Sequence, residues 1–235
     1  MAGRPDGLWK LIVDAQGRSG IENMRIDEAL LDDVVRSGGA FLRVYRWDPP
    51  TLSVGRNQST EGLARDGIAM VRRPTGGQAV WHEHEVTYAV ATSISVFGSL
   101  RDAYCEIHAR LARALRGLGV EAVLADRQTV RPSDSPASCF AAPVGGEILV
   151  QGRKVVGSAQ VRRGAAFLQH GSILLDGSQA VVATSTGETT LARELGRAVT
   201  FEEVTAAIVA NWGEPLRPSD RQAVRPSDIA SLAPR

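Results

Sequence analysis

The 235-residue chain carries 27 Lys and Arg against 26 Asp and Glu, a formal net charge of +1, which argues against the clustered cationic excess that grips nucleic acid. With 43% hydrophobic and 23% charged residues it can bury a sizeable core. No apolar run approaches the ~18–20 residues that span a bilayer, and the opening residues lack the apolar stretch of an export signal. Cys105 and Cys139 are the only cysteines; a chain of this length needs no disulfide staple, so reduced thiols and a cytoplasmic location are expected. Lys10 and Lys154 are the only lysines among a basic set otherwise made of arginine.

In chain order, residues 9–14 read as a strand. Residues 21–35 place Ile21, Met24, Leu30, Leu31, Val34 and Val35 at helical spacing before Gly38-Gly39. Extended segments follow at 41–47 and 51–55, separated by Asp48-Pro49-Pro50, which cannot continue a ladder. Another strand at 68–73 breaks at Pro74-Thr75-Gly76-Gly77, and 79–82 and 86–92 are extended again. Residues 100–118 carry the clearest apolar stripe, through Tyr104, Ile107, Leu111, Leu115 and Leu118, with Gly119 as the stop. A hairpin is predicted over 148–156 around Gln151-Gly152, a strand over 166–175 and a last helix over 201–212. Hairpins and helices are mixed without βαβ regularity. The expected class is α+β, with a mixed, mostly antiparallel sheet packed with helices. One domain over residues 8–213 is expected, and residues 214–235, with Arg-Pro-Ser-Asp repeated at 217–220 and 225–228, read as a loosely packed tail rich in Pro and Ser.

The most informative stretch is Arg72-Arg73-Pro74-Thr75-Gly76-Gly77-Gln78-Ala79-Val80-Trp81-His82. Two arginines suited to phosphate or carboxylate leave a strand and enter a loop whose bare backbone a ligand can approach. A second stretch runs from Cys139-Phe140 through Glu147 and Lys154 to Gly157-Ser158-Ala159 and His170. A free thiol has a pKa near ~8.5 and is mostly protonated at neutral pH. A neighbouring ammonium favours the thiolate and can steady an oxyanion. His82-Glu83-His84 sets two imidazoles on one strand face, but no third ligand is evident nearby, so no metal is expected. Cys105, on the helical stripe, reads as a core thiol.

Together these segments resemble the lipoate and biotin protein ligases and the related octanoyltransferases. Arg72 to His82 is similar to their acyl-binding loop, although Gln78, Trp81 and Glu83 stand where members commonly carry Gly or Arg, a smaller residue and Asp. Lys154 followed by Gly157-Ser158-Ala159 is similar to the family's lysine strand. Cys139, fifteen positions before that lysine, matches the cysteine-dependent octanoyltransferases of Gram-positive type. The resemblance implies Cys139 and Lys154 as catalytic residues. It also implies an acyl site built from Arg72, Arg73, Gly76, Gly77, Gln78, Ala79, Val80, His82, Gly157, Ser158 and Ala159. The implied reaction takes octanoyl from acyl carrier protein through a Cys139 thioester to a lysine of a lipoyl-domain protein (glycine cleavage H protein or a 2-oxoacid dehydrogenase E2). It needs no cofactor, nucleic acid or membrane. The alternatives are an ATP- and Mg-dependent lipoate ligase working through an acyl-adenylate, acyl relay between lipoyl domains, and a non-catalytic acyl-binding protein.

Overall fold

The computed structural model describes residues 9–126, 140, 145–182 and 187–219. Among them, twelve strands and four α-helices are formed, with a 3-10 turn at Ile94–Val96: β1 (Trp9–Arg18), α1 (Gly20–Ser37), β2 (Phe41–Trp47), β3 (Thr51–Val54), β4 (Ala69–Arg72), β5 (Val80–His82), β6 (Glu85–Ser93), α2 (Leu100–Gly117), β7 (Val123–Leu124), β8 (Ile148–Val150), β9 (Arg153–Lys154), β10 (Val156–Arg163), β11 (Ala166–Leu174), α3 (Leu191–Leu195), α4 (Phe201–Asn211) and β12 (Leu216–Pro218).

The main sheet has the order β10-β11-β6-β2-β1-β12. Its β1 neighbours run parallel and the rest antiparallel. The expected mixed α+β class is what forms. The two-residue period of β2 divides the core. Phe41 and Tyr45 face α1 together with Met24, Leu30, Leu31 and Leu168, whereas Leu42 and Val44 face α2 and α4 with Ile107, Leu111, Val204 and Ile208. One helix on one face and two on the other bury β2 on both sides.

Local chemistry sets the helix limits. Ser19 and Glu22 form a reciprocal capping box at the start of α1, and Gly38 closes it in a left-handed conformation. Ser99 caps α2, and Thr200 with Glu203 makes a second capping box at α4. Two smaller sheets complete the fold. In β4-β3-β5 the strands flank the Gly-Gly loop, and β7-β8-β9 ends in Lys154.

Two sequence readings need correction. The hairpin predicted over 148–156 ends at Lys154; Val156 already belongs to β10, which pairs with β11 over eight residues. The stretch read as a tail begins as structure, because Leu216–Pro218 pairs parallel with Trp9–Leu11 at the sheet edge, where Pro is tolerated. Residues 220–235 lie outside the described residues.

Candidate functional site

The Gly-Gly loop is fastened from three directions. Arg73, 5% exposed, donates to the Ser53 carbonyl and hydroxyl and to the carbonyls of Gly76 and Gln78 at 2.8 and 2.7 Å. Arg72 points outward and donates to the carbonyls of Gly55, Arg56 and Gln58. The sequence reading cast both arginines as anion holders. In the fold their guanidinium groups bind loop carbonyls, because the forked donors match converging backbone oxygens. Thr75, fully buried, bonds through Oγ1 to His170 Nε2 at 2.7 Å. The loop also requires its glycines: a Cβ on Gly55 would lie 1.9 Å from the Gly77 carbonyl oxygen, and Gly77 has φ 90°.

His170 carries this anchoring into the core. Its Nδ1 lies 2.9 Å from Asp27 Oδ2, and Asp27 also receives Tyr45 Oη and Arg43 Nη1 at 2.8 Å each. Burial alone would raise the Asp27 pKa, but the His170 hydrogen bond and the Arg43 charge hold it below its ordinary value. The carboxylate therefore accepts, and His170 donates from Nδ1.

A narrow cavity of about 30 Å³ opens between this loop and the main sheet. From the predicted acyl site, Arg73, Val80 and His82 line one wall and Gly157, Ser158 and Ala159 the other. Gly76, Gly77, Gln78 and Ala79 shape the loop without lining the cavity, and Ala79 packs with Leu52 and Val54 instead. His82 is set by Glu85 at Nδ1 and Ser53 at Nε2, both 2.7 Å, and stacks on Trp47 at 3.8 Å. His84 stands at the surface with 59% of its side chain exposed. Among the described residues no group of three or more His, Cys, Asp or Glu is placed to hold a metal. Sequence reasoning missed Met24, Tyr45, Trp47 and Ser53 as lining residues. Tyr45 and Trp47 share one face of β2 by alternation, but nothing local says that β2 borders the cavity.

Lys154 is the second predicted centre. It is 1% exposed, and its Nζ lies 2.6 Å from Oε1 of Glu147, itself 2% exposed. Tyr104 Oη reaches the same oxygen at 3.4 Å. Lys154 is clasped along its backbone as well, donating to Gly187 and accepting from Thr189. The ring of Phe140, packed with Val80 and Leu174, stands 5.5 Å from Nζ. Cys139, its neighbour in the chain, lies outside the described residues. Cys105 is buried on α2 as a free thiol, as the sequence predicted.

Residues 19–213 match the model of the lipoyl protein ligase A/B catalytic domain. The chain belongs to this family. Curated relatives of the lipoyl ligase family include "Octanoyltransferase LipM" of Carboxydothermus hydrogenoformans, 44% identical over 177 residues, 71% of this chain and 65% of that protein. The protein of the same name from Symbiobacterium thermophilum is 35% identical over 239 residues, 88% of this chain and 86% of its own. The chain thus spans just under two thirds of the first of these and most of the second. Among solved structures, lipoate-protein ligase A bound with ATP superposes with a TM-score of 0.78 at 20% identity, covering 96% of this chain and 94% of that one. A lipoate protein ligase of Thermoplasma acidophilum, from a study with its E2 lipoyl domain, gives 0.62 at 20% identity, with 97% and 92% covered. At such identities the likeness is one of fold. Family and fold agree with the expectations from the Arg72–His82 and Lys154–Ala159 motifs.

Proposed function

We propose that this lipoyl ligase family member is an octanoyltransferase that works through a thioester on Cys139. What supports the reading is the buried Lys154–Glu147 pair beside the Phe140 ring. Phe140, whose ring stands 5.5 Å from the ammonium, directly follows Cys139 in the chain. Relatives called octanoyltransferase and a narrow, largely apolar cavity point the same way.

In the first step the Cys139 thiolate attacks the acyl carbonyl of octanoyl-acyl carrier protein. A new C–S bond forms, and the carrier's phosphopantetheine sulfur leaves and takes a proton. In the second step the neutral amine of a lipoyl-domain lysine attacks the enzyme thioester. The amide C–N bond forms, the amine gives up a proton and Cys139 departs as thiolate. Both steps build negative charge on the carbonyl oxygen. The Lys154 ammonium, held by Glu147, is a positioned charge for it in a water-poor corner, the setting in which such a charge is worth most. The octanoyl chain enters the narrow cavity between the Arg73-braced loop and β10, which widens to admit it. Exchange between two thioesters is nearly balanced and amide formation is downhill, so no nucleotide or metal is required.

The test is intact-mass measurement after mixing with octanoyl-acyl carrier protein. The expected product is one octanoyl group on Cys139, released by hydroxylamine and absent from Cys139→Ser, with transfer to a lipoyl domain abolished in that variant. Undiminished transfer by Cys139→Ser overturns the thioester route. Pyrophosphate exchange dependent on free octanoate or lipoate would assign the chain to the adenylating ligases instead.

A further inference from the structure

Behind the β10 wall, one line of hydrogen bonds runs from the main sheet to the turn that carries Glu147. The Gly146 carbonyl can only accept, so His108 Nδ1, 2.8 Å away, holds the proton. His108 is fully buried, and desolvation pushes its pKa down to about 3, with the Lys154 charge acting in the same direction against the Gly146 hydrogen bond. A neutral ring protonated at Nδ1 leaves Nε2 as an acceptor, and Ser158 Oγ donates to it at 2.8 Å. With its proton spent, Ser158 Oγ accepts from Tyr88 Oη at 2.7 Å. Tyr88 accepts from Gln169 at 2.8 Å, and Gln169 Oε1 accepts from Gln160 at 2.8 Å. Every donor along this line points toward Gly146.

The far end of the line explains its use. Gly146 has φ 88°, a conformation that L side chains avoid and that glycine adopts with little rigidity of its own. The next residue is Glu147, whose carboxylate seats Lys154. We propose that His108 is a positioning residue for the Lys154 centre: it holds the Gly146 carbonyl, so that Glu147 stays aligned with the ammonium, and it couples that turn to the Ser158 wall of the acyl cavity. The proposal rests on the acyl-transfer reading above. The Gly146 N–H and the Glu147 carbonyl are already tied to Ala125 at 3.0 and 2.7 Å, so the Gly146 carbonyl is the point that His108 holds. Released, the peptide between those ties would tilt and let the carboxylate and then the ammonium drift, and drifts near 1 Å can cost up to about a hundredfold in rate.

The experiment measures octanoyl transfer from the carrier to a lipoyl domain by the full chain carrying His108→Ala, His108→Asn, Glu147→Gln or His108→Ala with Glu147→Gln. The expected result for His108→Ala is a kcat lower by about tenfold or more with KM for the acyl donor within about twofold. His108→Asn, whose amide can donate from the position of Nδ1, is expected to recover kcat to within about threefold. The double variant is expected to be slower than Glu147→Gln by no more than about twofold, since both act through one lysine. Should His108→Ala fail to fold, His108→Leu takes its place. Losses that multiply in the double variant, or a His108→Asn enzyme as slow as His108→Ala, overturn the positioning role while leaving acyl transfer intact. A Glu147→Gln enzyme of full activity overturns the Lys154 reading and this proposal with it.

Discussion

Two buried ion-pair centres lie on either side of the main sheet, and they differ in how their charges are spent. Arg43, fully buried, bonds to both carboxylates of Asp14 and Asp27 and to the carbonyl and side chain of Asn23, with Tyr45 beneath its plane at 3.8 Å. A planar fork matched by so many acceptors ties β1, α1 and β2 together. Lys154 is a compact charge with three donors on a flexible stem, one of which engages Glu147. It stands 5.5 Å from the ring of Phe140, the residue that follows Cys139 in the chain. Equal burial thus serves different ends: the guanidinium fixes a fold, and under the proposed acyl transfer the ammonium meets a charge that appears during reaction.

Removing each cation should separate these roles. Arg43→Met removes the buried cation, leaving Asp14 with Arg18 and Asp27 with Tyr45 and His170, and should cost about 3–5 kcal/mol of stability, read as a lower denaturant midpoint; near-wild-type stability would erase the distinction. Lys154→Ala should lower kcat by about 10²–10³-fold with a smaller loss of stability, and Lys154→Arg should not restore it, because a fork does not fit a site shaped for a point charge.

The pH response sharpens the contrast. His108 is held neutral with a folded pKa of about 3, below the unfolded value near ~6.5. As pH falls from about 6.5 toward 3 the unfolded chain takes up a proton that the native chain refuses, so stability should decline there by about 1.4 kcal/mol per pH unit from this group. That part of the slope should vanish in His108→Asn, measured by denaturant unfolding at several pH values. Asp27, its pKa depressed in the fold, contributes stability above the unfolded carboxyl pKa and loses it as pH falls further. The smallest expected effect is at the loop anchor. His170→Leu removes the Thr75 bond and should raise KM for the acyl donor by about tenfold, near 1.4 kcal/mol, with kcat nearly unchanged; a loss confined to kcat would contradict the anchoring role.

Much of this was legible in the chain because its signals are local. The α1 and α2 stripes, their caps and the Arg72–His82 loop announce themselves within a few residues. β10 was missed because Gly157, Ser158 and Ala159, which border a cavity, lack the apolar alternation of a packed strand. β12 was hidden by Pro218, which only an edge position tolerates, and α3 is too short to show a period. The duties of Arg72 and Arg73 depend on which carbonyls fold back onto them, and the Glu147–Lys154 and His108–Ser158 contacts are made across elements. Residue identity names such candidates, but only topology pairs them.

The central claim is that the Cys139 sulfur works beside the Lys154 ammonium. It is tested most directly by the pH dependence of Cys139 alkylation in a Cys105→Ala background, with and without Lys154→Met. The account predicts a Cys139 pKa below the free-thiol value of about 8.5 that rises when the lysine is removed. Identical alkylation profiles in the two proteins would contradict it.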